Sequence, residues 1–178
     1  MKIQRNILTM LRNGGVGVLP TDTIYGIVGS ALNPKTVERI YKLRRRNPKK
    51  PMIILIGSMG DLRLFDIKPG RTNLKILKRL WPGRVSIVSQ VANSKAQGAK
   101  FKYLHRGTGT LAFRLPKPHW LRKLLASVGP LVAPSANWEG KPPAETVREA
   151  KKYFGKKADF YVDHGRLAAA PSTLVKIG

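Results

Sequence analysis

The sequence contains no cysteine, and it is short of acids: 9 Asp and Glu stand against 34 Lys and Arg in 178 residues. The first absence excludes disulfides and thiolate metal sites. The acids are scattered and the three histidines (His105, His119, His164) are solitary, so no side-chain cage for a metal is visible. Long apolar runs are missing too. Nothing approaches membrane-spanning length, and Met1-Lys2-Ile3-Gln4-Arg5-Asn6 has no signal-peptide core. These absences predict a soluble, cytoplasmic protein without a resident metal.

What is present belongs to a globular chain. A hydrophobic fraction of 42% and an aromatic fraction of 7% can fill a core, so the charge rides on a folded surface. The length predicts one domain, residues 1–178. A net charge of +25 favours polyanionic partners such as RNA, DNA, nucleotides or an anionic membrane face, although a basic surface can also carry solubility alone.

Periodicity predicts helices over 2–12, from 34 to the basic cluster Arg44-Arg45-Arg46, over 72–80, 120–128 and 144–154, with a short one at 61–65. Apolar or alternating runs predict strands at 16–19, 24–31, 52–56, 85–91, 111–115, 131–133, 160–162 and 173–177. Ala92 to Gly98, with Lys100 and Lys102, reads as a polar basic loop, and Trp81-Pro82-Gly83 as a turn. Alternating strands and helices predict an α/β domain, and the close spacing of the strands between Val85 and Leu115 predicts a mixed sheet.

The chain centres on Leu19-Pro20-Thr21-Asp22-Thr23-Ile24-Tyr25-Gly26, where a buried strand delivers two hydroxyls and a phenol to its tip. The plainer alternative is a turn whose polar groups only satisfy backbone donors. Loops after Leu19, Ile56, Leu115 and Ala133 would collect polar groups if their strands share one sheet. Arg44 to Lys50 adds fixed positive charge, unless it is merely a solvated helix end that suits the macrodipole. Ser135 and Asn137 offer a backbone nest for an anion, or else a capping turn. Neither phosphate-loop glycine motif occurs, so a nucleotide would depend on arginine, lysine and hydroxyl groups.

Gly15-Val16-Gly17-Val18-Leu19-Pro20-Thr21-Asp22-Thr23-Ile24-Tyr25-Gly26 resembles the signature of the YrdC-like threonylcarbamoyl-AMP synthases. The resemblance continues through Ile40 to Pro51, Trp81-Pro82-Gly83, Thr110 to Pro116, Pro130 to Asn137 and Pro171-Ser172-Thr173-Leu174-Val175, in order and over nearly the whole chain. It implies a twisted, mixed, open sheet with flanking helices around a basic cavity. It also implies a nucleotidyltransferase reaction that joins L-threonine, bicarbonate and ATP into threonylcarbamoyl-AMP and pyrophosphate. A partner threonylcarbamoyl transferase would use the product for the threonylcarbamoyladenosine (t6A) modification of tRNAs.

Carried across by residue, the resemblance gives Arg46 and Lys50 the triphosphate, with Arg44 beside them. Thr110, Ser135 and Asn137 would line the nucleotide and the reacting centre. Thr21, Thr23, Tyr25 and Ser135 would shape the threonine pocket, Arg114 would pair the carboxylate, and Ser172 would close it. Mg²⁺ would arrive on the phosphates and water. Some features depart from the family pattern. Arg44 stands at its usual lysine unless the register shifts to Lys42-Leu43-Arg44, Arg84-Val85-Ser86 follows the Trp81 turn, and a final arginine-bearing strand is not found. The alternative from another class is a non-catalytic module that binds tRNA or double-stranded RNA through the same basic cavity.

Overall fold

The computed structural model describes residues 4–91 and 99–177. Its strands are β1 (Gly17–Pro20), β2 (Tyr25–Ser30), β3 (Ile53–Leu55), β4 (Val85–Gln90), β5 (Thr110–Arg114), β6 (Leu131–Val132), β7 (Phe160–Tyr161) and β8 (Thr173–Lys176). They form one open mixed sheet in the order β7-β1-β2-β6-β3-β5-β4-β8. Pairs β1–β7, β3–β5 and β4–β8 are parallel; the others are antiparallel.

The pleat sends alternate side chains to opposite faces, and each face has its own core. Leu19, Val28, Leu55 and Leu131 pack against α1 (Arg5–Arg12) and α5 (His119–Val128). Val18, Ile27, Ile54 and Phe113 pack on the other side with α2 (Pro34–Arg44), α3 (Arg71–Leu80) and α6 (Val147–Phe154). Each large apolar side chain buried this way contributes about 1.5–3 kcal/mol. Gly17 is fixed by this packing, because a Cβ there would lie 2.4 Å from the Phe160 ring.

Helix α2 starts where the sequence predicts. The Asn33 side-chain oxygen accepts from the N–H groups of Lys35 (3.0 Å) and Thr36 (3.3 Å), and Pro34 opens the first turn. Two predicted boundaries are corrected. Helix α6 begins at Val147 and not at Ala144, because the Thr146 hydroxyl accepts the Glu149 N–H (3.2 Å) and caps it there. Glu145 therefore lies outside the helix, paired with Arg166 at 2.7 Å. Lys102 does not belong to a loop: it opens α4 (Lys102–His105), which buries Leu104. Residues 92–98 of that expected loop, and residues 2–3 of the first expected helix, lie outside the described residues.

Between β7 and β8 the chain crosses from one edge of the sheet to the other through the irregular segment from Val162 to Ser172. The segment's last two residues, Pro171 and Ser172, border the cavity described below.

Candidate active site

A cavity of about 160 Å³ opens on the sheet face shared with Leu55 and Val28. Gly26 of β2, Ile53 of β3, Arg114 of β5 and Ala133 after β6 form its floor; Thr21, Thr23, Ile24, Pro134, Ser135, Pro143, Pro171 and Ser172 form its walls. Five of the six residues expected to hold an amino acid (Thr21, Thr23, Arg114, Ser135 and Ser172) are thus brought together. The loop after Ile56 does not take part. Strand β3 runs antiparallel to β6, so its first residue meets Ala133, whose N–H donates to the Ile53 carbonyl (2.9 Å). The N–H groups of Gly57 and Ser58 instead bind Asp61 in the turn Met59–Phe65.

The Thr21 turn combines both readings. Thr21 Oγ1 donates to the Ile24 carbonyl (2.7 Å), accepts from the N–H groups of Thr23 (3.2 Å) and Ile24 (3.3 Å), and shares a bond with Thr23 Oγ1 (3.0 Å). That is backbone satisfaction, yet both threonines still face the cavity. Asp22 points away and pairs with Arg114, Oδ1 to Nη2 3.1 Å, with both side chains only 4% exposed. Burial lowers the Arg114 pKa, Asp22 opposes the shift and Arg84 adds to it. At the far wall Ser172 Oγ bonds Ser86 Oγ (2.9 Å).

Tyr25 does not line this cavity. Its hydroxyl donates to the Gly165 carbonyl (2.8 Å), lies 3.3 Å from Asp163 Oδ1 and accepts the His164 N–H (2.8 Å), so it anchors the crossing segment. Thr110 is also apart. It begins β5 and Arg114 ends it, about 13 Å away at the rise of an extended strand; its hydroxyl bonds Thr108 Oγ1 (3.1 Å).

The nucleotide candidates form a second group that meets the cavity at Ser135. Arg44 is 3% exposed and no solvated helix end. Its Nε donates to the Ser135 carbonyl (2.8 Å), and its Nη2 to Ser135 Oγ and Asn137 Oδ1 (3.1 Å each), while Nη1 is buried without a hydrogen-bond partner. Burial, then Arg46, lowers its pKa to about 10, which leaves it cationic at neutral pH. Lys42 is exposed while Arg44 is buried. Asn137 is clamped rather than capping a helix: its Nδ2 donates to the carbonyls of Trp138 (2.8 Å) and Lys141 (2.6 Å).

Arg46 folds back on its own loop, Nε to the Lys50 carbonyl (3.1 Å) and Nη2 to the Pro51 carbonyl (2.8 Å). Lys50 Nζ (3.0 Å) and Arg46 Nη1 (4.0 Å) both approach Glu139 Oε1, and the Asn47 N–H donates to Glu139 Oε2 (2.5 Å). The Asn47 N–H and then Lys50 hold the Glu139 carboxyl below its ordinary pKa. Sequence reasoning missed Glu139 and the partnership of Asp22. Neither has a local signal, since each partner lies on a distant segment. Two roomier grooves, of about 510 and 680 Å³, lie around Arg63, Lys68 and Pro69. They contain none of these residues, so chemistry and not size selects the smaller cavity.

A family model for the Sua5, YciO and YrdC proteins, described as telomere recombination, matches residues 9–178. The threonylcarbamoyl-AMP synthase of Pyrococcus abyssi is 31% identical over 159 residues, 87% of this chain and 44% of that protein. The threonylcarbamoyl-AMP synthase of Pseudoalteromonas translucida is 28% identical over 159 residues, 88% of this chain and 82% of that one. The crystal structure of P. abyssi Sua5 complexed with L-threonine matches with a TM-score of 0.85 at 27% identity, over 99% of this chain and 52% of that chain. This chain therefore spans about half the length of the P. abyssi protein.

Proposed function

The chain belongs to the Sua5/YciO/YrdC family, and from that premise we propose that residues 1–178 act as one YrdC-like domain, an L-threonylcarbamoyladenylate synthase. It would make threonylcarbamoyl-AMP and pyrophosphate from L-threonine, bicarbonate and ATP, as a nucleotidyltransferase. The observation that supports this most is the junction at Ser135. One residue walls the amino-acid cavity and also receives Arg44, the innermost cation of the phosphate group. A cavity of about 160 Å³ suits a small amino acid and is too small for a whole nucleotide.

L-Threonine lies with its carboxylate on Arg114 and with the hydroxyls of Thr21, Thr23 and Ser172 around it. Its amine takes the carbon of bicarbonate, water leaves, and a carbamate oxygen attacks the α-phosphorus of ATP as the bond to pyrophosphate breaks. The protein supplies position and charge: Arg46 and Lys50 neutralise the phosphates, Arg44 and Asn137 fix the Ser135 loop at the reacting centre, and no covalent nucleophile is needed. Thr110, at the opposite end of β5 from Arg114, is left to the nucleotide and not to the threonine. Magnesium enters with the ATP substrate. The described residues hold no cluster of three or more His, Asp or Glu to cage it, and Glu139 is already turned to cations. The product passes to a transferase that modifies tRNA, with direct tRNA contact through the basic surface and a cytoplasmic location. No helix among the described residues is long and apolar enough to cross a membrane.

The purified chain is expected to release pyrophosphate only when ATP, L-threonine, bicarbonate and Mg²⁺ are all present. Release without threonine, or none at all, overturns the reading.

A further inference from the structure

We propose that Asp22 is a positioning residue for the amino-acid site, acting through Arg114 to aim that guanidinium at a ligand carboxylate and so to favour amino acids whose α-carboxylate is free. The inference rests on the synthase reading. Arg114 lines the cavity and Asp22 does not. Asp22 stands behind it as an ion pair, Oδ1 3.1 Å from Nη2 without hydrogen-bond alignment, and its Oδ2 lies 3.4 Å from the Lys117 N–H on the segment leaving β5. Thr21 Oγ1 adds a 3.5 Å contact to the same Nη2. A guanidinium carries five donors in one rigid plane, so fixing one corner fixes the direction of the rest. Arg114 Nε is buried and has no hydrogen-bond partner within the protein.

The pairing has two opposed effects. Asp22 weakens the pull of Arg114 on a second carboxylate, but it prevents a buried arginine from being left without a counter-charge and sets its orientation. With both side chains almost wholly enclosed, orientation is the larger effect. The sign of the Asp22→Asn effect separates the two accounts.

The test measures steady-state pyrophosphate release and calorimetric L-threonine binding for the full chain, D22N, R114Q and the double variant. D22N is expected to raise KM and Kd for L-threonine about tenfold while KM for ATP stays within about twofold. In the R114Q background D22N is expected to add nothing, since its effect runs through Arg114. L-Threonine amide, which lacks the carboxylate, should bind wild type and D22N alike. An unchanged or lowered threonine KM in D22N, or a full tenfold loss that persists in R114Q, overturns the proposal. If D22N does not fold, D22E keeps the charge but shifts it by one methylene. It should then raise the threonine KM alone, and an unchanged value is equally fatal. A wild-type chain that binds no L-threonine fails the synthase reading itself, a result visible before any variant is made, and this proposal falls with it.

Discussion

Arg46, the proposed phosphate cation, also holds its own loop together. In the sequence it is one cation in a run of three at a helix end. In the fold its side chain is 19% exposed and its fork holds two carbonyls of the 50–51 segment. Arg46→Ala should lower pyrophosphate release at least about 100-fold, because a phosphate counter-charge is lost. Charge-assisted hydrogen bonds of this kind, discounted for partial exposure, stabilise by about 1–2 kcal/mol. The same variant should therefore melt about 2–6 °C lower, as a scan would show. Full activity would remove Arg46 from the phosphate site. Arg44, two residues earlier at the end of α2, serves three acceptors with two nitrogens, which a lysine cannot reproduce.

At the scale of elements, the crossing from Val162 to Ser172 depends on Tyr25 at one end and on Ser86 and Arg84 at the other, where Ser172 bonds Ser86 and the Thr173 N–H donates to the Arg84 carbonyl (3.1 Å). Burial raises the Tyr25 pKa, so the hydroxyl keeps its proton and remains a donor. Tyr25→Phe leaves the Gly165 carbonyl and the His164 N–H without that partner. Trypsin should then cut at exposed Arg166 several-fold faster, and the threonine KM should rise as Ser172 loosens; unaltered cleavage would show that Tyr25 does not hold the crossing. A second junction ties β1 to α2 and β7. Asp159 accepts from the Val16 N–H (2.7 Å) and from both terminal nitrogens of Arg39 (2.7 Å each). Arg39 first, then the Val16 N–H against burial, lowers the Asp159 pKa. A depressed carboxyl stabilises the fold fully above its unfolded value near about 3.9, and the effect is lost as pH falls through the lower native value. Asp159→Asn should flatten the fall in urea midpoint between about pH 5 and pH 2. An acid limb identical to wild type would exclude this pair.

At the scale of the whole molecule, the few acids all have partners, although only Asp22 is buried. Asp22, Glu38, Asp66, Glu139, Glu145 and Asp159 are ion-paired, while Asp61, Glu149 and Asp163 accept neighbouring backbone N–H groups. The outward charge is therefore overwhelmingly cationic. Affinity for tRNA should fall with salt by about one log-log unit per phosphate contact, measured by filter binding, and salt-independent binding would refute an electrostatic contact. Burial period, caps and turns are set within a few residues, so the strands, most helices and the α/β class could be read from the chain, as could the family through its ordered motifs. The Thr146 cap that shortens α6 lay at the edge of that resolution. Strand order and direction are set by pairing between distant segments, and only the tertiary structure decided them. They turn Tyr25 away from the cavity, exclude the Ile56 loop, separate Thr110 from Arg114, and join Asp22 to Arg114 and Glu139 to Lys50. Such pairs are specified by the path of the sheet through space, and no local pattern along the sequence records it.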